Sequence, residues 1–211
     1  MVYIRMLYVC IPREGNVIIP VLNIKGGVGK TTTAIALATA AVRAGHGAKV
    51  LDADEQGSAT LWADTAEQAG EPLPFPIDPI NATRIKALRP EADTWCFIDC
   101  APSGKALDAA KERADFIVIP TTPAGLDMQQ TWVTAENLVE SGKPYAVLLT
   151  RTRSHTLALA AVEHEMEERE ASYFEAQIPL REDIKNFFGH SFGKDLYGYE
   201  DVFKEIEEAL S

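Results

Sequence analysis

The chain has 211 residues, of which 46% are hydrophobic, so it can bury one substantial core and we expect a single domain. Its formal net charge of −11 disfavours a broad basic surface for nucleic acid or an anionic membrane, and any DNA contact must therefore be local. No apolar run approaches the roughly 20 residues that span a bilayer, and residues 1–15 lack a signal-peptide pattern. We therefore expect a cytoplasmic protein with no membrane partner.

Short apolar runs alternate with segments of helical composition from residue 17 onward. We predict an N-terminal extension over residues 1–16, followed by a single domain over residues 17–211. Residues 71–79 contain four prolines, which remove backbone donors and predict an extended surface connection. The predicted strands are residues 17–23, 48–53, 95–99, 116–119 and 145–149, and the predicted helices are residues 31–44, 58–69, 126–140, 157–170 and 197–210.

Strands that are apolar throughout and separated by helices are typical of a parallel sheet covered on both faces. Right-handed crossovers between such strands produce an α/β fold, a doubly wound and mostly parallel sheet with helices on both faces. Ligands of this fold bind at the carboxyl ends of the strands. The loop at residues 25–31 lies at such an end, directly after the first predicted strand.

This loop, KGGVGKT, has the composition of a phosphate cradle. Its glycines allow consecutive amides to turn toward an anion, and the following helix adds its positive end. We expect Lys30 to reach the β- and γ-phosphates of ATP, and the hydroxyl of Thr31 to complete the shell of a Mg²⁺ ion. The predicted phosphate-binding residues are Gly26, Gly27, Val28, Gly29, Lys30, Thr31 and Thr32.

The loop departs from the common motif G-x-x-x-x-G-K-[ST], whose first glycine would fall at Ile24. Lys25 instead precedes the glycine pair, and KGGVGKTT resembles the deviant Walker A loop of ParA/MinD-type ATPases, written KGGxGK[ST] in that family. The resemblance implies a P-loop NTPase that hydrolyses ATP. It also implies a homodimer, formed on ATP binding, in which Lys25 reaches across to the phosphates of the partner's ATP.

Acidic residues stand at the ends of two predicted strands. Asp99 ends an apolar strand, where a carboxylate can hold the water shell of Mg²⁺, although it could also merely cap the next helix. Residues 97–102 resemble the family's Walker B strand and switch II. Residues 51–57 resemble its switch I, D-x-D-P-Q-G, which implies that Asp54 orients the attacking water and that Asp52 supports the magnesium. Glu55 replaces the family's proline and predicts a less rigid loop.

Two shorter segments resemble the parts of the family that lie on the adenine side of the nucleotide. Residues 148–151 correspond to the family's strand end near the adenine, which assigns Thr150 and Arg151 to nucleotide binding. Residues 178–181 resemble its base-side segment, which adds Pro179.

The chain looks most like the small ParA-type partition ATPases. That resemblance implies ATP-gated nonspecific DNA binding, a centromere-binding, ParB-like adaptor and a plasmid or chromosome as cargo, with a large protein assembly as the second possible cargo. Candidate DNA contacts are Arg151, Arg153, Arg181 and Lys185. However, residues 163–211 contain 14 acidic and 5 basic residues, a balance that repels DNA unless the basic side chains cluster.

The acidic polar face of residues 201–210 indicates core docking, not membrane binding.

Two other functional classes share this loop. A metabolic enzyme, such as an amide-cyclising synthetase or a metallocluster reductase, would need dedicated substrate or cluster ligands, and the sequence specifies none. A tyrosine autokinase would need a tyrosine cluster in a disordered tail, which Tyr197 and Tyr199 do not provide.

Overall fold

The computed structural model describes residues 16–89 and 91–211, so of the predicted extension only Asn16 is included. Its core is a six-stranded sheet in which every paired strand is parallel, with the order β3-β2-β4-β1-β5-β6. The strands are β1 (Asn16–Val21), β2 (Gly47–Ala53), β3 (Ile77–Pro79), β4 (Thr94–Cys100), β5 (Ile117–Thr121) and β6 (Tyr145–Leu149).

Helices cover both faces of this sheet. Alternate residues of each strand point to opposite sides, so Ile19 and Phe97 join one buried cluster while Ile18 and Ile98 join the other. The helices are α1 (Lys30–Arg43), α2 (Ser58–Gln68), α3 (Ala82–Lys86), α4 (Lys105–Arg113), α5 (Gly125–Glu140), α6 (Leu157–Glu168), α7 (Glu182–Asn186) and α8 (Tyr199–Leu210). The first cluster receives side chains from α1, α2 and α8, and the second from α3, α4, α5 and α6.

This architecture confirms the predicted doubly wound α/β fold. The proline-rich connection also contains a short strand, which its composition does not predict. Val50 N donates to the carbonyl of Pro76, and Ile80 N donates to that of Asp52, so β3 pairs with β2 at the edge of the sheet. An edge position tolerates proline because one side of the strand needs no donor.

The helices predicted from the sequence do not include α3, α4 or α7. Helices α3 and α7 have five residues each, little more than one turn, and so carry no apolar repeat. Among the described helices, none has the length and apolar character needed to cross a membrane.

Candidate nucleotide-binding site

The loop between β1 and α1 turns through two left-handed glycines. Gly27 has φ 78° and Gly29 has φ 94°, conformations that L side chains rarely adopt. The side-chain amide of Asn23 holds the start of the loop: it donates to the carbonyl of Pro120 and to Thr131 Oγ1, each at 3.0 Å. The oxygen of the same amide accepts from Lys25 N. Asn23 is not among the residues predicted from the sequence, although a polar residue directly after an apolar strand is a usable signal.

A cavity of about 1330 Å³ opens at the carboxyl ends of β1, β2 and β4. The sheet register places Asp52 opposite Asp99 and Val21 opposite Asp99, so both acidic strand ends adjoin the loop. The cavity thus brings together most of the residues predicted from the sequence. Those that line it are Gly26, Gly27, Gly29, Lys30, Thr31, Thr32, Asp52, Asp54 and Arg151.

Lys30 is buried at the first position of α1, with 8% of its surface exposed. Its ammonium donates to the carbonyl of Lys25 at 3.0 Å. Burial lowers the pKa of Lys30, and the negative charges of Asp99 and Asp54 oppose that shift. A partly desolvated ammonium beside a helix N-terminus suits a strongly anionic ligand. The negative charge of such a ligand would replace the stabilisation that the ammonium loses with its water.

Asp99 is 1% exposed at the end of β4. Burial raises its pKa to about 7, and a hydrogen bond with Thr31 opposes the rise. Within the described residues, its Oδ2 is buried without a hydrogen-bond partner. A hard oxygen in that state, next to the Thr31 hydroxyl, fits a Mg²⁺ ion. In the part of the chain that the structure describes, no group of three or more His, Cys, Asp or Glu side chains is placed to hold a metal ion.

The carboxylate of Asp52, unlike that of Asp99, has hydrogen-bond partners for both of its oxygens. Its Oδ2 accepts from both the backbone N and the Oγ1 of Thr60, each at 2.8 Å, and its Oδ1 accepts from Asp54 N at 3.2 Å. These bonds connect the strand end to α2 and fix the turn that carries Asp54. Asp52 is thus placed to support the geometry of that loop, and Thr60 is a contributor that the sequence reasoning missed.

Asp54 is half-buried, and its Oδ1 accepts from Gln56 N at 3.0 Å. This bond closes the turn before Gly57, which adopts φ 65°. Asp54 lines the same cavity as the phosphate-loop residues, where a carboxylate could orient a water molecule that attacks a bound phosphate.

Lys25 does not line this cavity. Its Nζ lies 3.7 Å from Asp127 Oδ1 on α5, and Asp127 also accepts from Thr122 Oγ1 at 2.7 Å. The Lys25 side chain is 38% exposed, so solvent or a second molecule can reach it.

A smaller adjoining cavity of about 60 Å³ collects the predicted base-side residues Thr150, Arg151 and Pro179. The Thr150 hydroxyl lies 3.0 Å from the carbonyls of both Val28 and Thr121, so it braces the phosphate loop through the backbone. Val28 is fully buried and contributes packing beneath the loop.

Tyr199 of α8 also lines the smaller cavity. Its hydroxyl lies 3.0 Å from Thr33 Oγ1, and burial raises its pKa to about 12. This contact ties the last helix to the first turns of α1. Tyr199 has no motif-level signal, because the chain brings it to the site over 166 residues.

The candidate DNA-contact residues do not all lie in the same surroundings. Arg151, Arg153 and Arg181 are exposed, and the side chain of Lys185 lies outside the described part of the structure. Arg151 and Arg181 line the smaller cavity, which associates them with the nucleotide site.

The parallel sheet, the phosphate loop and the strand-end carboxylates define a P-loop nucleotide-binding protein. Residues 19–190 match the CobQ/CobB/MinD/ParA nucleotide binding domain, and the chain therefore belongs to this family. The resemblance deduced from the loop is confirmed.

Two curated relatives share a name. The chain is 38% identical to "Maintenance of carboxysome distribution protein A" of Gloeobacter kilaueensis over 167 residues, 76% of each protein. It is 32% identical to the protein of that name in Halothiobacillus neapolitanus over 133 residues, 58% of each protein. A Borrelia burgdorferi plasmid partition protein bound to AMPPNP has the same fold, with a TM-score of 0.72 and 20% identity over 93% of this chain and 100% of that one.

Proposed function

We propose that the protein is a Mg²⁺-dependent ATPase that forms a homodimer around bound ATP and positions a cargo in the cytoplasm. The observation that carries this proposal is the arrangement at the end of β1 and β4. A glycine-turned loop and a desolvated Lys30 lie near the buried Asp99, whose Oδ2 has no partner in the described structure. The site thus provides a place for phosphate charge and a place for a cation.

The residues of the site divide the work. The amides of residues 26–31 bind the phosphates, and Lys30 stabilises the charge that develops on the transferred group. Thr31 and Asp99 hold the magnesium ion, which when bound neutralises part of the phosphate charge. Asp54 orients the attacking water, while Asp52 and Thr60 hold the turn on which Asp54 is carried. The Lys25 ammonium acts on the partner's nucleotide.

A large protein assembly is the cargo that we favour. Two relatives, 38% and 32% identical, are named for the distribution of carboxysomes, and the net charge of −11 disfavours a broad DNA-binding surface. The second candidate is partition of a plasmid or chromosome through ATP-gated DNA binding and a ParB-like adaptor. It is supported by the shared fold of the Borrelia burgdorferi plasmid partition protein.

The ATPase proposal is tested by phosphate release from purified protein. Lys30→Ala should lower turnover at least about 100-fold, because it removes the charge that stabilises the transition state. Lys204→Ala, an exposed lysine on α8, is the matched control and should retain full turnover. Chelation of Mg²⁺ should abolish turnover in both proteins. Unchanged turnover in Lys30→Ala would show that the activity does not arise from this site.

The DNA-binding part of the second candidate is tested by adding nonspecific duplex DNA to the same assay. Retention of ATP-loaded protein on DNA, with faster turnover, would support ATP-gated DNA binding. Turnover and retention that are unaffected by DNA at low salt would contradict it, since DNA binding by phosphate neutralisation is strongest there.

A further inference from the structure

Helices α3 and α4 carry a local excess of positive charge on an acidic chain. Residues 82–89 and 105–113 contain six basic and two acidic side chains, a balance of +4, whereas the whole chain has a net charge of −11. The remainder of the protein therefore carries −15. We call this region the α3–α4 surface, and its basic members are Arg84, Lys86, Arg89, Lys105, Lys111 and Arg113.

Within the described residues, most of these cations lack a carboxylate partner. Lys86 Nζ lies 3.0 Å from Glu112 Oε2, in a pair whose side chains are 60% and 63% exposed. In residues 16–89 and 91–211, no carboxylate lies within 4.0 Å of the other basic members. Arg89 and Arg113 both donate to the carbonyl of Leu88 at 3.0 Å, so two guanidinium groups share one neutral acceptor. An anion supplied from outside would relieve this concentration of like charge.

The surface is concave between the two helices. A groove of about 390 Å³ is lined by Ala82, Thr83, Lys86, Lys105 and Asp108. Ala82 and Lys105 also line the nucleotide cavity, so the groove and that cavity adjoin. Lys105 begins α4 directly after the turn that follows Asp99 and β4.

We propose that this groove binds an acidic segment of a partner protein, with a carboxylate of that segment seated between Lys86 and Lys105. As the docking site for a cargo or its adaptor, it rests on the positioning function proposed above. The binding itself needs only the charges and shape of the α3–α4 surface.

An acidic peptide segment fits these observations better than duplex DNA does. DNA carries one negative charge per roughly 1.7 Å of its axis, so a duplex on this surface would extend over neighbouring parts of a protein whose remainder is strongly acidic. A short segment presents its charge locally and can enter a groove. Because Lys105 adjoins the turn after Asp99, an occupied groove is also placed to alter nucleotide turnover.

The test is a titration of nucleotide-free, full-length protein with a fluorescein-labelled peptide of alternating glutamate and serine, followed by anisotropy. The double variant Lys86→Gln with Lys105→Gln should weaken binding by about tenfold at low salt, because two ionic contacts are lost. Lys194→Gln with Lys204→Gln makes the same charge change on exposed residues elsewhere and should change the Kd by less than about twofold. Asp108→Asn should tighten binding, because it removes the acid from the groove wall.

Several results would overturn the proposal. Absence of saturable binding, or equal weakening in the two double variants, would show that the groove is no site for acidic segments. Tighter binding of a duplex oligonucleotide that only the groove variant loses would make this a nucleic-acid surface. Altered self-association of the groove variant, measured by light scattering without peptide, would make it an interface between copies of the chain.

The docking proposal can fail independently of the ATPase proposal. The Lys30→Ala protein should bind the peptide as the unmodified chain does, because Lys30 lies outside the groove. Peptide binding together with unchanged turnover of Lys30→Ala would remove the proposed ATPase site and leave the groove intact. Normal ATPase behaviour without peptide binding would remove the groove alone.

Discussion

Asp52 and Asp99 are paired in the register of neighbouring strands, yet the surroundings of their carboxylates differ. Both oxygens of Asp52 accept hydrogen bonds from the turn and helix that follow, whereas Asp99 has a buried Oδ2 without a partner in the described structure. A carboxylate whose oxygens are already occupied holds protein structure. One with an open oxygen is available to an ion.

The Asp54 side chain is the residue that we expect to control hydrolysis. Asp54→Ala should bind ATP with nearly unchanged affinity, because the phosphate loop is untouched, and should slow single-turnover hydrolysis by about 100-fold or more. Glu67→Ala removes an exposed acid on the adjacent helix and should hydrolyse ATP normally. Normal single-turnover kinetics in Asp54→Ala would remove the assigned role.

Thr60 offers a second test, because its hydroxyl is one of the donors to buried Asp52. Thr60→Val keeps the shape but leaves Asp52 short of a donor, which should cost about 1–3 kcal/mol of unfolding free energy and slow hydrolysis through the Asp54 turn. Thr60→Ser retains the hydroxyl and should restore both properties. Urea unfolding and single-turnover hydrolysis measure them separately. Equal behaviour of the two variants would show that the hydroxyl is dispensable.

At the scale of elements, the segment after α7 packs against α2, the helix that follows the Asp54 turn. Trp62 Nε1 donates to the carbonyl of His190 at 2.9 Å, and the Trp62 ring contacts Phe188 and Phe192. The backbone of Gly189 approaches α2 so closely that a Cβ there would stand 2.4 Å from Thr65 Cγ2. Close packing therefore holds this segment against α2.

Gly189→Ala should therefore destabilise the fold by about 2–4 kcal/mol, through a strained left-handed φ of 78° and the clash with Thr65. Gly70→Ala has nearly the same φ, 75°, with open space around the added atom, and should cost only about 1–2 kcal/mol. A double-mutant cycle with Thr65→Ala should recover part of the difference, since Cγ2 is removed. Equal losses in the two glycine variants would mean that the close packing contributes nothing.

The order and type of the longer elements follow from the sequence because their signals are local. Each of three features can be recognised within a short stretch of sequence: the apolar strands, the alanine-rich α1 and the glycine loop. The short helices α3 and α7 and the edge strand β3 cannot, since tertiary contacts decide them. The same limit applies to the candidate site. Lys30 and Asp99 are recognisable from motifs, whereas Tyr199 and Thr131 reach the site only through packing across more than 100 residues.

At the scale of the whole molecule, Lys25 is the residue through which the proposed function connects nucleotide binding to dimerisation. Its side chain does not line the nucleotide cavity, and its nearest described carboxylate is Asp127 at 3.7 Å. A contact at that distance between partly exposed groups is weak. The phosphates of a nucleotide held by a second chain would compete with it effectively.

Lys25→Ala should consequently separate binding from dimerisation. We expect its affinity for a fluorescent ATP analogue to stay within about threefold of the original, whereas AMPPNP-driven dimer formation should weaken at least about tenfold, because an ion pair across the interface is lost. Sedimentation velocity over a concentration series measures the dimer, and Lys204→Ala serves as the control. If Lys25→Ala dimerises normally with AMPPNP, the ammonium makes no essential contact across the interface. If it loses nucleotide binding to the same extent, Lys25 acts within its own chain.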